Sequence, residues 1–143
     1  MEVTQFAIRI GCAIIAGLLI GFEREYKNKE AGLKTNALVS LGAAVFVIMS
    51  LKFYGEDYVD ITRVLSQVVI GIGFIGGGTI VQHGKDIKGL TTAATIWCSA
   101  AVGCLAAFGM YWEFAILTAV VVVFNFVFGK IDKRIGKNEE HEE

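Results

Sequence analysis

The chain has 143 residues, of which 55% are apolar and none is proline, and its formal net charge is -1. The apolar residues form long blocks instead of alternating with polar ones, which excludes a soluble β-sheet domain. Five bilayer crossings of about 20 residues each would use most of the chain, so no separate soluble domain fits. We therefore predict an all-α membrane protein, and nothing in the charge indicates a nucleic-acid partner.

Five apolar runs predict about five transmembrane helices. In chain order the runs span residues 3–22, 37–51, 64–81, 90–108 and 114–128. The shorter runs need flanking residues or a locally thin bilayer to complete a crossing. We expect residues 1–129 to form one helical transmembrane domain and residues 130–143 to form a charged cytoplasmic tail.

Lysine and arginine are distributed unevenly between the predicted loops. Ten of them lie in the first loop, the third loop and the tail, whereas the second loop has two and the fourth has none. Because loops rich in basic residues stay in the cytoplasm, this difference places the N-terminus outside and the C-terminus in the cytoplasm.

An outer polar cluster is predicted where the third helix begins. Asp60, Arg63 and Gln67 are spaced at i, i+3 and i+7, so they share one face of that helix. Arg9 is the one charged residue well inside the first run, where an unpaired arginine is costly. Two interpretations remain open for Arg9: it pairs with Asp60, or it extends to the lipid phosphates of the outer leaflet.

Polar residues at the predicted cytoplasmic face also have two interpretations. The first is helix capping, since Thr35 and Asn36 precede the second run and Thr91 and Thr92 begin the fourth. The second is a cytoplasmic-face motif that brings distant residues together. Its candidate members are Glu23, Arg24, Asn36, Gln82, His83, Lys88, Thr91 and Thr92.

The glycines of the apolar runs predict close helix packing. Gly71, Gly73 and Gly76 match a nominal dinucleotide-binding pattern, but that pattern requires a preceding strand and here it lies inside a membrane-length run. Small residues let helix backbones approach each other in lipid. The predicted packing positions are Gly17, Gly21, Gly71, Gly73, Gly76, Gly77 and Gly78, and the last three also favour a broken or widened helix.

The ionisable residues indicate neither a catalytic site nor a cofactor. No carboxylate lies near the middle of any run, and magnesium usually takes one or two carboxylates, which argues against a dedicated magnesium transporter. Cys12, Cys98 and Cys104 lie in apolar runs at spacings that match no metal site, so we expect small buried side chains. No nucleophile–base pair stands out, so an enzyme is not expected, and no metal ligand is assigned.

Three blocks of sequence resemble the MgtC/SapB family of bacterial inner-membrane proteins. They are Gly-Phe-Glu-Arg-Glu at 21–25 followed by Ala-Gly-Leu-Lys-Thr-Asn-Ala-Leu-Val at 31–39, the segment 60–78, and Lys-Gly-Leu-Thr-Thr-Ala-Ala-Thr-Ile-Trp at 88–97. The resemblance implies a multi-pass inner-membrane protein with a role in growth at low magnesium and in survival inside hosts. Some members restrain the proton-driven ATP synthase. Because the chain ends soon after its last apolar run, it resembles the short, SapB-like members.

Two functions follow as hypotheses from the residues and the resemblance. The first is a regulatory protein whose partners are the lipid bilayer and other membrane proteins or a second copy of itself. The alternative is a transporter or channel for magnesium or another small solute.

Overall fold

The computed structural model describes the backbone of residues 2–139 and the side chains of residues 2–129. It consists of five helices and one short β-hairpin. Their bounds are α1 Val3–Tyr26, α2 Leu33–Leu51, α3 Ile61–Gly77, β1 Val81–His83, β2 Asp86–Lys88, α4 Leu90–Phe108 and α5 Tyr111–Glu139. The predicted all-α membrane fold is confirmed, since α1, α2, α4 and residues 111–129 of α5 are each long and apolar enough to cross a membrane.

The end of α3 differs from the prediction that the third run continues as a helix to Val81. The helix stops at Gly77, and the amides of Thr79 and Ile80 bond to the carbonyls of Gly76 and Gly77 in tight turns. Val81 then begins an antiparallel hairpin in which it pairs with Lys88. Three successive glycines weaken the helix enough for the chain to turn there. The 17 residues of α3 span about 26 Å, which is less than the hydrocarbon core.

Helices α1, α2 and α4 form the centre of the bundle and pack through small residues. A Cβ atom at Gly17 would lie 2.6 Å from the Cα of Ala37, and one at Gly21 would lie 2.7 Å from the carbonyl oxygen of Gly32. A Cβ at Gly103 would overlap the carbonyl oxygen of Ser40. Such close approaches increase the van der Waals contact that holds helices together in lipid.

Helix α3 is attached to this centre by a narrow strip. Its two buried residues are Ile72 and Gly76, and the position of a Cβ at Gly76 is 3.5 Å from the Cβ of Ala93 on α4. The other predicted packing glycines of α3, which are Gly71, Gly73 and Gly77, would meet no atom within 4 Å if they carried a Cβ. They therefore make no close helix contact within the described part of the chain.

The five helices alternate in direction, so the loops collect at two ends of the bundle. The end of α1, the start of α2, the hairpin and the start of α4 meet at one end, together with Gly129 of α5. We call this the basic end, because Lys27, Lys29 and Lys88 lie there. The opposite end holds the loop between α2 and α3 and the turn between α4 and α5.

Candidate functional site

A polar pocket of about 750 Å³ lies at the basic end, between α1, the hairpin, the start of α4 and α5. Five residues of the predicted cytoplasmic-face motif line it together, namely Glu23, Arg24, Lys88, Thr91 and Thr92. Asn36 lies on α2 and does not line the pocket, and Gln82 and His83 are exposed on β1. The structure thus brings together residues that are up to 69 positions apart in the chain, counted from Glu23 to Thr92.

Arg24 connects α1 to α4 inside the pocket. Its side chain is buried, and Nη2 donates a 2.5 Å hydrogen bond to Oγ1 of Thr92. Its Nε atom is enclosed and has no partner among the described residues. Thr92 lies in the first turn of α4 and is therefore held on the pocket wall by the helix, while the N-cap position belongs to Gly89. The capping role predicted for Thr91 and Thr92 is wrong for this reason.

Lys27 forms an ion pair at the end of α1 and connects that end to α5. Nζ of Lys27 lies 2.6 Å from Oε1 of Glu23, one helical turn earlier, and donates a 2.8 Å hydrogen bond to the carbonyl of Asn125. Glu23 is only 1% exposed, and its second oxygen has no partner among the described residues. Neither Lys27 nor Asn125 was among the residues predicted at this face. The i, i+4 spacing of Glu23 and Lys27 is the signal that could have found the pair.

Asn36 lies deeper in the bundle than the pocket and connects α2 to α4. Its side chain is fully buried, and it donates to the carbonyls of Ala31 and Gly32 and accepts a 2.8 Å hydrogen bond from Oγ of Ser99. The capping role predicted for Thr35 and Asn36 is wrong, because α2 begins at Leu33 with Gly32 as its N-cap. Asn36 instead satisfies carbonyls of the preceding loop and a hydroxyl of a neighbouring helix.

A column of buried polar side chains continues from the pocket into the bundle. Thr92, Thr95 and Ser99 are buried and spaced at i, i+3 and i+7 on α4, and Asn36 and Ser40 are buried and spaced at i and i+4 on α2, with Ser99 bonded to Asn36. Oγ of Ser40 is buried and has no partner within residues 2–129. Sequence reasoning missed this column, although its helical spacing was readable.

The predicted pair between Arg9 and Asp60 is not formed. Arg9 donates a 2.5 Å hydrogen bond to the carbonyl of Ala107, near the end of α4. Asp60 caps α3 by accepting hydrogen bonds from the amide nitrogen of Thr62 at 2.9 Å and from its Oγ1 at 2.6 Å. The last carbonyls of a helix lack intrahelical donors, so the end of α4 offers Arg9 a nearer partner than a carboxylate at the start of α3.

The remaining members of the outer polar cluster do not form one site. Asp60, Arg63 and Gln67 are exposed, and Arg9 makes its contact with α4. The hydrogen bonds from Thr62, with a smaller contribution from the charge of Arg63, hold the pKa of Asp60 below its usual value. These interactions are local to the first turn of α3.

We expect the stability losses of Arg9→Ala and Asp60→Ala to add in the double variant, because the two side chains contact different partners. The measurement is the unfolding free energy of the purified chain and its three variants in a mild detergent. A double variant that loses clearly less than the sum of the single losses would contradict this separation.

Comparison with known proteins identifies the family. A family model described as the MgtC family matches residues 10–134. The chain is 47% identical over 113 residues to Protein MgtC of Brucella abortus, which is 79% of this chain and 47% of that protein. It is 37% identical over 137 residues to Protein MgtC of Salmonella typhimurium, which is 96% of this chain and 58% of that protein.

A third relative is an uncharacterized protein of Synechocystis sp., which is 40% identical over 141 residues, or 99% of this chain and 59% of that protein. The chain thus spans about half the length of the curated relatives it matches. No solved structure matches it significantly. Because the family model covers most of the described residues and four helices have membrane-crossing length and composition, this chain is a bacterial membrane protein that belongs to the MgtC family.

Proposed function

We propose that this protein is a regulator in the bacterial inner membrane, linked to growth or survival at low magnesium. It acts by binding a transmembrane helix of another membrane protein. The proposed partner is the proton-driven ATP synthase, which the resemblance to MgtC/SapB proteins suggests. The observation that carries the proposal is an open apolar groove between α2 and α3.

The groove has a volume of about 470 Å³ and runs along both helices. Its α3 wall is a single helical face, formed by Val64, Gln67, Val68, Gly71, Ile72 and Ile75. Its α2 wall includes Gly42 and Phe46. A Cβ at Gly42 or Gly71 would meet no atom within 4 Å, so both positions leave open space. The groove therefore has open space at two glycines that no described residue of the chain fills.

A transmembrane helix is the occupant that this surface fits best. Helices associate in lipid where small residues let their backbones approach closely, and Gly42 and Gly71 provide such places on two walls. The glycines at the centre of the bundle, Gly17, Gly21 and Gly103, already contact neighbouring backbones and are not available to a partner. An apolar helix in the same bilayer can enter the groove without exposing polar groups.

In this proposal the bound chain lowers ATP synthesis by the synthase. We expect Gly71→Leu to abolish this restraint, because the leucine side chain would occupy the groove. The measurement is proton-driven ATP synthesis in inverted membrane vesicles that contain the wild-type chain or the variant at equal levels. A photo-crosslinker at Phe46, whose side chain is 59% exposed in the groove, should react with a synthase subunit in the wild type and not in the variant.

The matched control is Gly11→Leu, because Gly11 also has no atom within 4 Å of its Cβ position but lies on α1 outside the groove. This variant should keep the restraint and the crosslink. Equal ATP synthesis with and without the wild-type chain would refute the proposed partner. A crosslink to a second copy of this chain would show that the groove serves self-association and does not bind the synthase.

The alternative function, transport of magnesium or another small solute, is favoured by the buried polar column. Polar side chains in a membrane interior are often part of a solute pathway. Ser40→Ala is the substitution that best tests this pathway. The buried hydroxyl of Ser40 has no described partner, so its removal leaves no other described group unpaired. Saturable magnesium uptake into liposomes that falls in Ser40→Ala would favour transport over regulation.

The orientation proposed for the chain places the basic end in the cytoplasm. In a variant without Cys12, Cys98 and Cys104, an impermeant thiol reagent added to sealed cells should label a cysteine at Asp57 and not one at Lys29. Both positions are exposed, so access is decided by the membrane alone. Labelling at position 29 with protection at position 57 would reverse the orientation.

A further inference from the structure

We propose that the polar pocket at the basic end binds a phosphate group. The charged side chains that line it are Arg24, Lys27, Lys29 and Lys88, which are cationic, and the carboxylates Glu23 and Glu30. Lys27 pairs with Glu23 at 2.6 Å, which leaves three cations against one carboxylate. The pocket therefore carries an excess of positive charge that suits an anion.

The start of α4 supplies hydrogen-bond donors to the same space. Leu90, Thr91 and Thr92 form its first turn and line the pocket. Their amides have no described backbone partner, and the N-cap residue, Gly89, has no side chain that could accept from them. A helix of 19 residues also carries a partial positive charge at this terminus. Free amides and a positive helix end together form an anion-binding arrangement.

Arg24 is the second, independent feature of the site. It is 4% exposed and lines the pocket beside the first turn of α4. A guanidinium has five N–H donors, of which Arg24 uses one, toward Thr92, and its Nε is enclosed without a described partner, so a ligand in the pocket would bond to its Nη groups. A buried arginine with unused donors is costly unless an anion completes its bonds. The planar arrangement of its donors matches two oxygens of a phosphate.

Two kinds of ligand can bring a phosphate to this pocket. On one side it is bordered by Phe124 and Phe128 of α5, whose side chains are about half exposed. An anionic phospholipid would place its headgroup in the pocket and its acyl chains against these rings. A small phosphate solute would use the same Arg24 and α4 donors and would leave the rings uncovered. The site is therefore assigned by its phosphate chemistry, and the source is decided by experiment.

The test uses the purified full chain in a neutral detergent and has two arms. In the lipid arm, native mass spectrometry compares retention of phosphatidylglycerol with that of phosphatidylcholine. In the solute arm, calorimetry measures binding of inorganic phosphate at constant ionic strength. The variants are Arg24→Gln and, as the matched control, Arg63→Gln, which removes the same charge at an exposed position on α3.

We expect Arg24→Gln to weaken the interaction about tenfold or more in whichever arm the wild type binds, as loss of charged hydrogen bonds does. Arg63→Gln should change it by no more than about twofold. Binding in the lipid arm alone identifies a phospholipid, and binding in the solute arm alone identifies a soluble phosphate. No binding in either arm, or equal losses in the two variants, would overturn the proposal.

A second variant keeps the test decisive if Arg24→Gln fails to fold. Lys29 and Lys88 are exposed at the rim, and their side chains make no described hydrogen bond or ion pair, so Lys29→Gln with Lys88→Gln should leave the fold intact. This double variant should bind phosphate or phosphatidylglycerol several-fold more weakly than the wild type, about fivefold for two partly screened charges. Unchanged binding in a folded double variant would also overturn the proposal.

Discussion

Gly17→Ala is expected to destabilise the folded chain by about 1–3 kcal/mol, because the added methyl group has no space. A Cβ at Gly17 would lie 2.6 Å from the Cα of Ala37 and 2.6 Å from the carbonyl oxygen of Asn36. Both atoms belong to the backbone of α2, so no change of rotamer relieves the overlap and the two helices must move apart. The measurement is reversible unfolding of the purified protein from mild detergent into a denaturing one.

The matched control for this prediction is Gly11→Ala on the same helix. A Cβ at Gly11 would meet no atom within 4 Å, so this substitution should change the stability little. Alanine also has a higher helix propensity than glycine, so any small change at position 11 should be stabilising. An equal loss at positions 11 and 17, or no loss at position 17, would contradict the close packing of α1 on α2.

Asn36→Ala is the second substitution with a large expected effect. It leaves the hydroxyl of Ser99 without its acceptor and removes the side-chain donors to the carbonyls of Ala31 and Gly32. Since each buried polar group left unpaired costs about 1–3 kcal/mol, we expect a loss of about 2–4 kcal/mol. The same unfolding measurement in detergent gives the value.

A double-variant cycle isolates the contact between α2 and α4. Ser99→Ala removes the other side of the pair, so the variant with both substitutions should lose less than the sum by about 0.5–3 kcal/mol. Ser50→Ala is the control, because the one described hydrogen bond of the Ser50 hydroxyl goes to the carbonyl of Val47 within its own helix. Coupling of Asn36 to Ser50 as strong as that to Ser99 would argue against a specific pair.

The helix positions were largely predictable from hydropathy, and the end of α3 shows where that signal fails. The predicted run 90–108 coincides with α4, because Gly89 and Gly109 adopt left-handed conformations with φ of 90° and 75° and end the helix at both sides. The run 64–81 extended too far, because Val81 is apolar although it lies in a strand. Hydropathy measures apolar character and does not distinguish a short strand from the last turn of a helix.

The side-chain partners were less predictable than the helices. Glu23, Arg24 and Lys88 were grouped correctly by their predicted position at one membrane face, which follows from topology alone. Of the two interpretations of Arg9, the pairing with Asp60 was wrong, because a backbone carbonyl at Ala107 accepts its hydrogen bond and no residue type marks such an acceptor. Knowledge of which helices are neighbours is needed before a partner can be chosen, and one sequence does not contain it.

The narrow attachment of α3 determines what it costs to displace that helix. In water, separating two apolar surfaces exposes both of them to solvent, whereas in a bilayer the lipid tails cover the exposed surfaces and only packing contacts are lost. Since Ile72 and Gly76 are the two buried residues of α3, few packing contacts are lost when this helix is displaced from α2 and α4. Displacement of α3 within the membrane plane should therefore cost less than separating α1, α2 and α4, whose backbones are in close contact at Gly17, Gly21 and Gly103.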